Sequence, residues 1–397
     1  MKKITLLFTF LLIASLLLSS CSFDGFRKLI NPPLESSGGD SAAPEIPTPD
    51  FSEKRLTFIG AGDNLIYYGN WRDAQSLATG DRKYDFSAHY ANVKNMISSA
   101  DIAFINQETL MSGDEPQAYP NFNSPRELAY DLCDVGFDVV NMANNHMLDM
   151  ATKGLQSTIE FWKSMPVLMI GGYENAEDFN TIRILEKDGI KIAFLSFTYG
   201  TNGLKLATNS KIVVPYLDEE SVKTQIASAK KQAELVFVSV HWGDENSFQP
   251  NDEQKRYAQL MADEGVDVII GHHSHTIQPV EWIQGRDGNR TLCVYSLGNF
   301  IAEQARDINQ LGGMITFDIV KVGQNKAKIE NPIYVPTVIH FDMNFYHNQV
   351  CILEDYTDAM AKAHGLANYG SVLNRTKLIE YVKNVISQEF LPDYYRN

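Results

Sequence analysis

Val268-Ile269-Ile270-Gly271-His272-His273-Ser274-His275 joins a short apolar run to three imidazoles within four residues. A run with apolar residues on both faces suits a strand buried at the centre of a layered α/β protein. In such sheets, sites form in the crevice at the carboxyl ends of the strands, which is where these histidines fall. Three imidazoles so close together are a metal-binding composition.

The same grammar repeats along the chain. Apolar runs at 56–61, 102–105, 139–143, 167–170, 192–197, 235–240, 268–270, 292–295 and 314–320 read as strands. Between them, 90–99, 125–135, 151–164, 219–233 and 252–264 read as helices, some with start signals such as Asn251-Asp252-Glu253 after Pro250. Alternating strands and helices predict an α/β protein in which helices cover sheet faces.

Polar motifs close six of these strands: Gly62-Asp63-Asn64, Asn106-Gln107-Glu108, Asn144-Asn145-His146 with Asp149, His241-Trp242-Gly243-Asp244-Glu245, the histidine cluster at 272–275, and Ser296-Leu297-Gly298-Asn299-Phe300. Five of the nine histidines lie in them. Hard divalent ions take carboxylate and amide oxygens, and borderline ions accept imidazole. Asp63, Glu108, Asn145, His241 and the His273-x-His275 pair supply a mixed set large enough for two ions. A carboxylate shared by two ions about 3.5–4 Å apart would orient water for attack on phosphorus or a carbonyl. Singly, each residue has an ordinary reading. Asp63 and Asn144-Asn145 suit turns, Glu108 and Glu245 suit solvated loops, and His241 and Trp242 suit a packed core. Jointly, six such strand ends predict a site, with Asn64, Asn106, Asn144, Trp242, Glu245, His272 and Asn299 lining it.

Taken in order, these motifs resemble the bacterial poly-gamma-glutamate capsule-biosynthesis proteins of the CapA type, over about 56–320. That family in turn is similar to the calcineurin-like metallophosphoesterases. The resemblance implies a four-layer α/β/β/α sandwich with a two-metal centre. It implies Asp63, Glu108, Asn145, His241, His273 and His275 as metal ligands, His146 as general acid or transition-state stabiliser, and Asp149 as the carboxylate that orients it. His272 stands where that pattern has glycine, so a pairing of His272 with His275 is the alternative. Leu65 replaces a histidine of the pattern, and Glu108 replaces an aspartate. The implied cofactor is one or two divalent ions, with Mn, Fe, Zn and Mg left open. The implied role is in capsule or surface-polymer biosynthesis, either as a metal-dependent hydrolase or as a non-catalytic protein that binds or helps export an anionic polymer.

Met1-Lys2-Lys3 followed by an apolar run to Leu18 reads as a secretory signal, too short for a stable spanning helix. Leu18-Ser19-Ser20-Cys21 resembles a bacterial lipobox, which implies a lipid on Cys21 and anchorage at the extracytoplasmic face of the cell membrane. The expected organisation is a signal peptide over 1–20, a lipidated Cys21 with a Pro/Gly/Ser-rich tether over 21–53, the sandwich over 54–345, and a peripheral helical extension over 346–397. A formal charge of −15 without a basic run excludes nucleic acid as a partner and denies the chain electrostatic attraction to anionic lipid. Acyl chains would supply that membrane affinity instead, and the surface polymer or its synthesis machinery is the expected partner. Cys133, Cys293 and Cys351 are too few for a disulfide framework, and without a CxxC pair they hold no thiolate zinc site.

Overall fold

Phe58 and Ile59 are neighbours on one strand yet are buried in different cores. Successive strand residues point to opposite faces, so a strand apolar at every position must be covered on both sides. The computed structural model describes residues 52–396, which form one compact unit.

Two sheets result. In the first, β1 (Glu53–Asn64), β2 (Ile102–Gln107), β3 (Val139–Asn141) and β4 (Leu168–Ile170) run parallel. On its other flank β12 (Leu311–Val322), β13 (Lys328–His340) and β14 (Gln349–Ile352) continue antiparallel, and β11 (Asn299–Ile301) pairs with the end of β1. In the second sheet β6 (Ile190–Thr198), β7 (Leu235–His241), β8 (Val268–His272) and β10 (Arg290–Val294) are parallel. Antiparallel β5 (Arg183–Lys187) and β9 (Val280–Gln284) form its edges.

The sheets face each other through one core. There Phe58 stacks on Phe317 at 4.6 Å and meets the edge of Phe237 at 5.4 Å. Outside the first sheet lie α1 (Tyr68–Leu77), α2 (Ala91–Ser98), α3 (Glu127–Val135) and α4 (Ala151–Lys163), which bury Val93, Leu132, Leu155 and Trp162 with Ile59 and Ile105. A short α5 (Ala176–Asn180) leads into β5. Outside the second sheet, α6 (Glu219–Ala229) and α7 (Asp252–Asp263) cover Val236, Val238 and Ile269 with Val222, Ile226 and Met261. The result is the four-layer α/β/β/α sandwich. Asp218 caps α6, and Asn251 with Gln254 forms a capping box on α7, each cap worth about 1 kcal/mol.

Several segments differ from their reading in the sequence. The strand read at 139–143 ends at Asn141; the Met142 N–H still reaches the Ile170 carbonyl at 3.0 Å, and the chain then turns so that the Asn144 side chain accepts the His146 N–H at 2.9 Å. The stretch 346–397 is not peripheral: it opens with β14 and continues through α8 (Asp358–Ala363) and α9 (Arg375–Val385). Tyr356, Leu366, Leu378, Val382, Phe390 and Tyr395 are buried in the inter-sheet core. Strand β13 was not anticipated; its Pro332 and Pro336 argue against a strand. The signal-like segment, Cys21 and the tether up to Phe51 lie outside the described residues, and Glu53 already begins β1. No helix among the described residues is long and apolar enough to cross a membrane.

Candidate metal centre

Strand register assembles the site. Asp63 is level with Asn106 on one neighbour and with Asn299 on the other; Asn106 is level with Asn141, and His241 with His272. The strand-end motifs of both sheets therefore converge at one rim. Asp63, Glu108, Asn145, His241, His272, His273, His275 and Asn299 are all buried there.

Three sets of ligand atoms lie within 4.8 Å of one another: Glu108 with His241 and His273, Asp63 with Glu108 and His275, and Glu245 with His273 and His275. Glu108 Oε1 is 3.5 Å from His241 Nε2 and 3.8 Å from His275 Nε2. Both Glu108 oxygens, His241 Nδ1, His272 Nε2 and His273 Nδ1 are buried without a hydrogen-bond partner. Unsatisfied buried polar atoms are rare in folded proteins, and a cluster of them needs an explanation. The carboxylate and imidazole atoms of the close sets form the donor set a divalent cation uses, so the cluster is compatible with divalent-metal binding.

The surrounding groups hold these ligands in place. Asn106 donates to Asp63 Oδ1 at 2.8 Å; Asn141 donates to Asn106 at 2.7 Å and accepts from the Ser196 hydroxyl. The His273 backbone N–H donates to Asp63 Oδ2 at 3.1 Å. Asn145 Oδ1 faces His241 Nε2 at 2.8 Å, while its amide nitrogen donates to Asn202 at 3.1 Å. His275 Nδ1 meets Asn299 Oδ1 at 2.9 Å. His146 Nδ1 lies 2.7 Å from Asp149, whose same oxygen accepts the Phe122 N–H. His273 and His275 have φ of 92° and 54°. Side chains in that left-handed region cost of order 1–3 kcal/mol each, a strain concentrated at functional sites. Gly271 must be glycine, since a Cβ there would collide with the Tyr295 carbonyl.

The electrostatics divide the two acids. Burial alone would raise the Asp63 pKa, but the hydrogen bonds from His272 and His275 outweigh it and hold the carboxyl well below its ordinary range. Glu108 has no such donor, so burial and the Asp63 charge push it well above. Burial and the facing His273 keep His241 well below the usual imidazole value; burial and His275 bring His273 down to about 3. These two rings are neutral, the form that ligates metals. For His275, burial opposes protonation, yet Glu108 and Asp63 prevail and raise it to about 9.

Not every predicted site residue contributes a ligand atom. Trp242 is a correction: residues alternate faces along β7 and beyond it, so its indole is buried among the helices behind the second sheet, donating to the Tyr295 carbonyl at 2.9 Å. Asn64 bonds Gln107 and Tyr90, and Asn144 bonds two backbone carbonyls, so both serve the loops. His272 packs on Asp63 at 3.0 Å and on Phe104, outside the three close sets, whereas His273 and His275 both belong to them. Glu245 is exposed at the rim. Four contributors were missed: Tyr199, whose ring is 4.5 Å from His273, and Asn202, Asn141 and Ser196. Asn141 sits on a predicted strand and could have been noticed there; Tyr199 and Asn202 lie in a loop with no motif.

Fold and cluster together define an α/β/β/α sandwich with a buried histidine–carboxylate centre at its strand ends. Residues 57–304 match the family described as bacterial capsule synthesis protein PGA_cap, and the chain belongs to that family. It is 34% identical over 200 residues to the PGA biosynthesis protein CapA of Bacillus subtilis (strain 168), covering 50% of this chain and 51% of that one. It is 35% identical over 176 residues to the capsule biosynthesis protein CapA of Bacillus anthracis, covering 43% and 41%. The chain thus spans about half the length of the curated relatives it matches. Among solved structures, NAD nucleotidase of Haemophilus influenzae aligns with a TM-score of 0.45 at 13% identity, over 86% of this chain and 65% of that one.

Proposed function

We propose that this protein acts in the biosynthesis of a capsule or related anionic surface polymer, through a divalent-metal-dependent, phosphoesterase-like hydrolytic site. The observation that carries the reading is the convergence of buried carboxylate and imidazole ligand atoms, Glu108 with His241 and His273 and Asp63 with Glu108 and His275, each set within 4.8 Å, while neither Glu108 oxygen has a hydrogen-bond partner. Asp63, Glu108, Asn145, His241, His273 and His275 would hold the cation or cations, Mn, Fe, Zn or Mg. Bound there, such ions act as Lewis acids toward water and the scissile centre. The chain supplies the rest. Asp149 fixes the His146 ring through Nδ1, so that Nε2 can deliver a proton to the leaving group. Asn106, Asn141 and Ser196 keep Asp63 from rotating.

The same reading places the body at the extracytoplasmic face of the membrane, tethered through a lipid on Cys21. Metal analysis of the purified protein and of a His241→Ala/His275→Ala variant tests the centre. The expected result is metal in the parent and little in the variant; equal content rejects it. A second reading, a non-catalytic polymer-binding or export accessory, is favoured by one observation. Leu65, buried at the cleft wall, leaves the expected histidine ligand without a replacement. Metal binding without turnover of any ester would select it.

A further inference from the structure

A cleft of about 380 Å³ opens beside the centre, walled by Tyr67, Tyr119, Phe122, His146, Leu204 and Glu245 among others. None of its lining residues is Lys or Arg. Asp149 and Glu245 line it, and Asp63 and Glu108 are buried behind it. The charges facing Glu108 are those of Asp63, Glu245 and Asp149, opposed by His275. A site for a phosphate dianion ordinarily surrounds it with guanidinium or ammonium groups; beyond whatever the cations themselves supply, this cleft sets only the imidazoles of His146 and His275 against the carboxylates of Asp149 and Glu245.

The apolar part of the cleft is equally specific. Phe122 meets the His146 ring edge-on at 4.8 Å, Tyr67 meets Phe122 at 5.0 Å, and Tyr119 lies 6.4 Å from Phe122. Tyr119 is 74% exposed, an aromatic ring in water at the mouth. This aromatic wall runs from the mouth to His146, where it can pack against a group leaving beside that ring.

We propose that the cleft selects a singly charged phosphodiester over a phosphomonoester dianion, and that Tyr67, Phe122 and Tyr119 form the subsite for a flat or apolar leaving group. This rests on the hydrolytic reading above and goes beyond it by naming the substrate class. In the reaction, water oxygen bonds to phosphorus and the bond to the leaving oxygen breaks with its electron pair. That oxygen takes a proton from His146, and the proton shed by the attacking water restores His146 through solvent. Diester and water become monoester and alcohol.

The test compares bis(p-nitrophenyl) phosphate with p-nitrophenyl phosphate on Mn²⁺-loaded protein, alongside calorimetric binding of diphenyl phosphate and phenyl phosphate. The expected result is at least tenfold higher kcat/KM for the diester and at least tenfold tighter binding of diphenyl phosphate. Tyr119→Ala should raise KM for the diester several-fold with kcat nearly unchanged. Leu204→Lys, which adds a cation to the wall without touching the ligands, should narrow the preference by improving the monoester. Equal or better use of the monoester, or tighter binding of phenyl phosphate, overturns the proposal. If neither substrate is hydrolysed, the hydrolytic reading fails, and the binding comparison still decides the charge preference.

Discussion

Replacing Glu108 by leucine should stabilise the protein without metal and abolish its stabilisation by metal. The carboxyl is wholly buried, and neither oxygen has a hydrogen-bond partner. Its pKa is driven up by burial and by Asp63. Leaving a buried polar group unsatisfied costs roughly 1–3 kcal/mol, a cost that an apolar side chain of similar size removes. Unfolding entropy scales with length, so that gain corresponds to a rise of about 1–4 °C in Tm for a chain of this size. In the parent, a ligand that binds only the folded state at a thousand times its Kd stabilises by about 4.1 kcal/mol, or roughly 6 °C. Thermal unfolding of parent and Glu108→Leu, each in chelator and in excess Mn²⁺, should therefore give crossing results: the variant higher in chelator, the parent higher in metal. A variant that is less stable in chelator, or that gains as much from metal as the parent, would refute the assignment of Glu108 as a ligand held in place at a cost to the fold.

Other outcomes depend on single contacts. His146→Ala and Asp149→Asn should keep the parent's metal content and lower ester hydrolysis by about 10²–10⁴, the scale of general acid catalysis, as metal analysis with kinetics would show. His364 is buried, its Nε2 3.0 Å from the Ile339 carbonyl and its Nδ1 accepting the Leu366 N–H at 2.9 Å. Burial lowers its pKa to about 4, below the ~6.5 of an unfolded chain. The unfolded state therefore takes up the proton first: the contribution is complete above pH 6.5 and is lost as pH falls from there toward 4, by up to about 3 kcal/mol. His364→Gln should flatten that part of the urea-midpoint profile; an unchanged slope would show that another group causes it. Gly271→Ala should cost several kcal/mol or prevent soluble expression, because its Cβ would meet the Tyr295 carbonyl. Near-parent stability by thermal unfolding would contradict that packing.

The metal-capable residues were legible because their chemistry is local. Asp63, Glu108, His241 and His275 each follow an apolar run, and a strand end is recognisable from a few residues. The residues that support them were not legible. Asn202 reaches Asn145 from a loop 57 residues away, and Tyr199 covers His273 with no pattern around it. Trp242 illustrates the opposite error, since adjacency to His241 in sequence places it on the far face of the sheet. Strand β13 was hidden by its prolines, and β14 by the helical character of the residues after Glu354.

The sequence by itself determined the alternation of strand and helix, the motifs at the strand ends and the acidic surface, because periodicity, side-chain chemistry and charge are properties of short stretches. Only the tertiary structure decided which imidazoles lie in the close ligand sets, that Glu108 is left without a hydrogen-bond partner, that the C-terminal segment belongs to the core, and that no Lys or Arg lines the cleft. Each of these depends on register between strands distant in sequence, such as Asp63 beside Asn106 and His241 beside His272. Register is fixed by burying two sheets against each other, a collective outcome that no local stretch encodes.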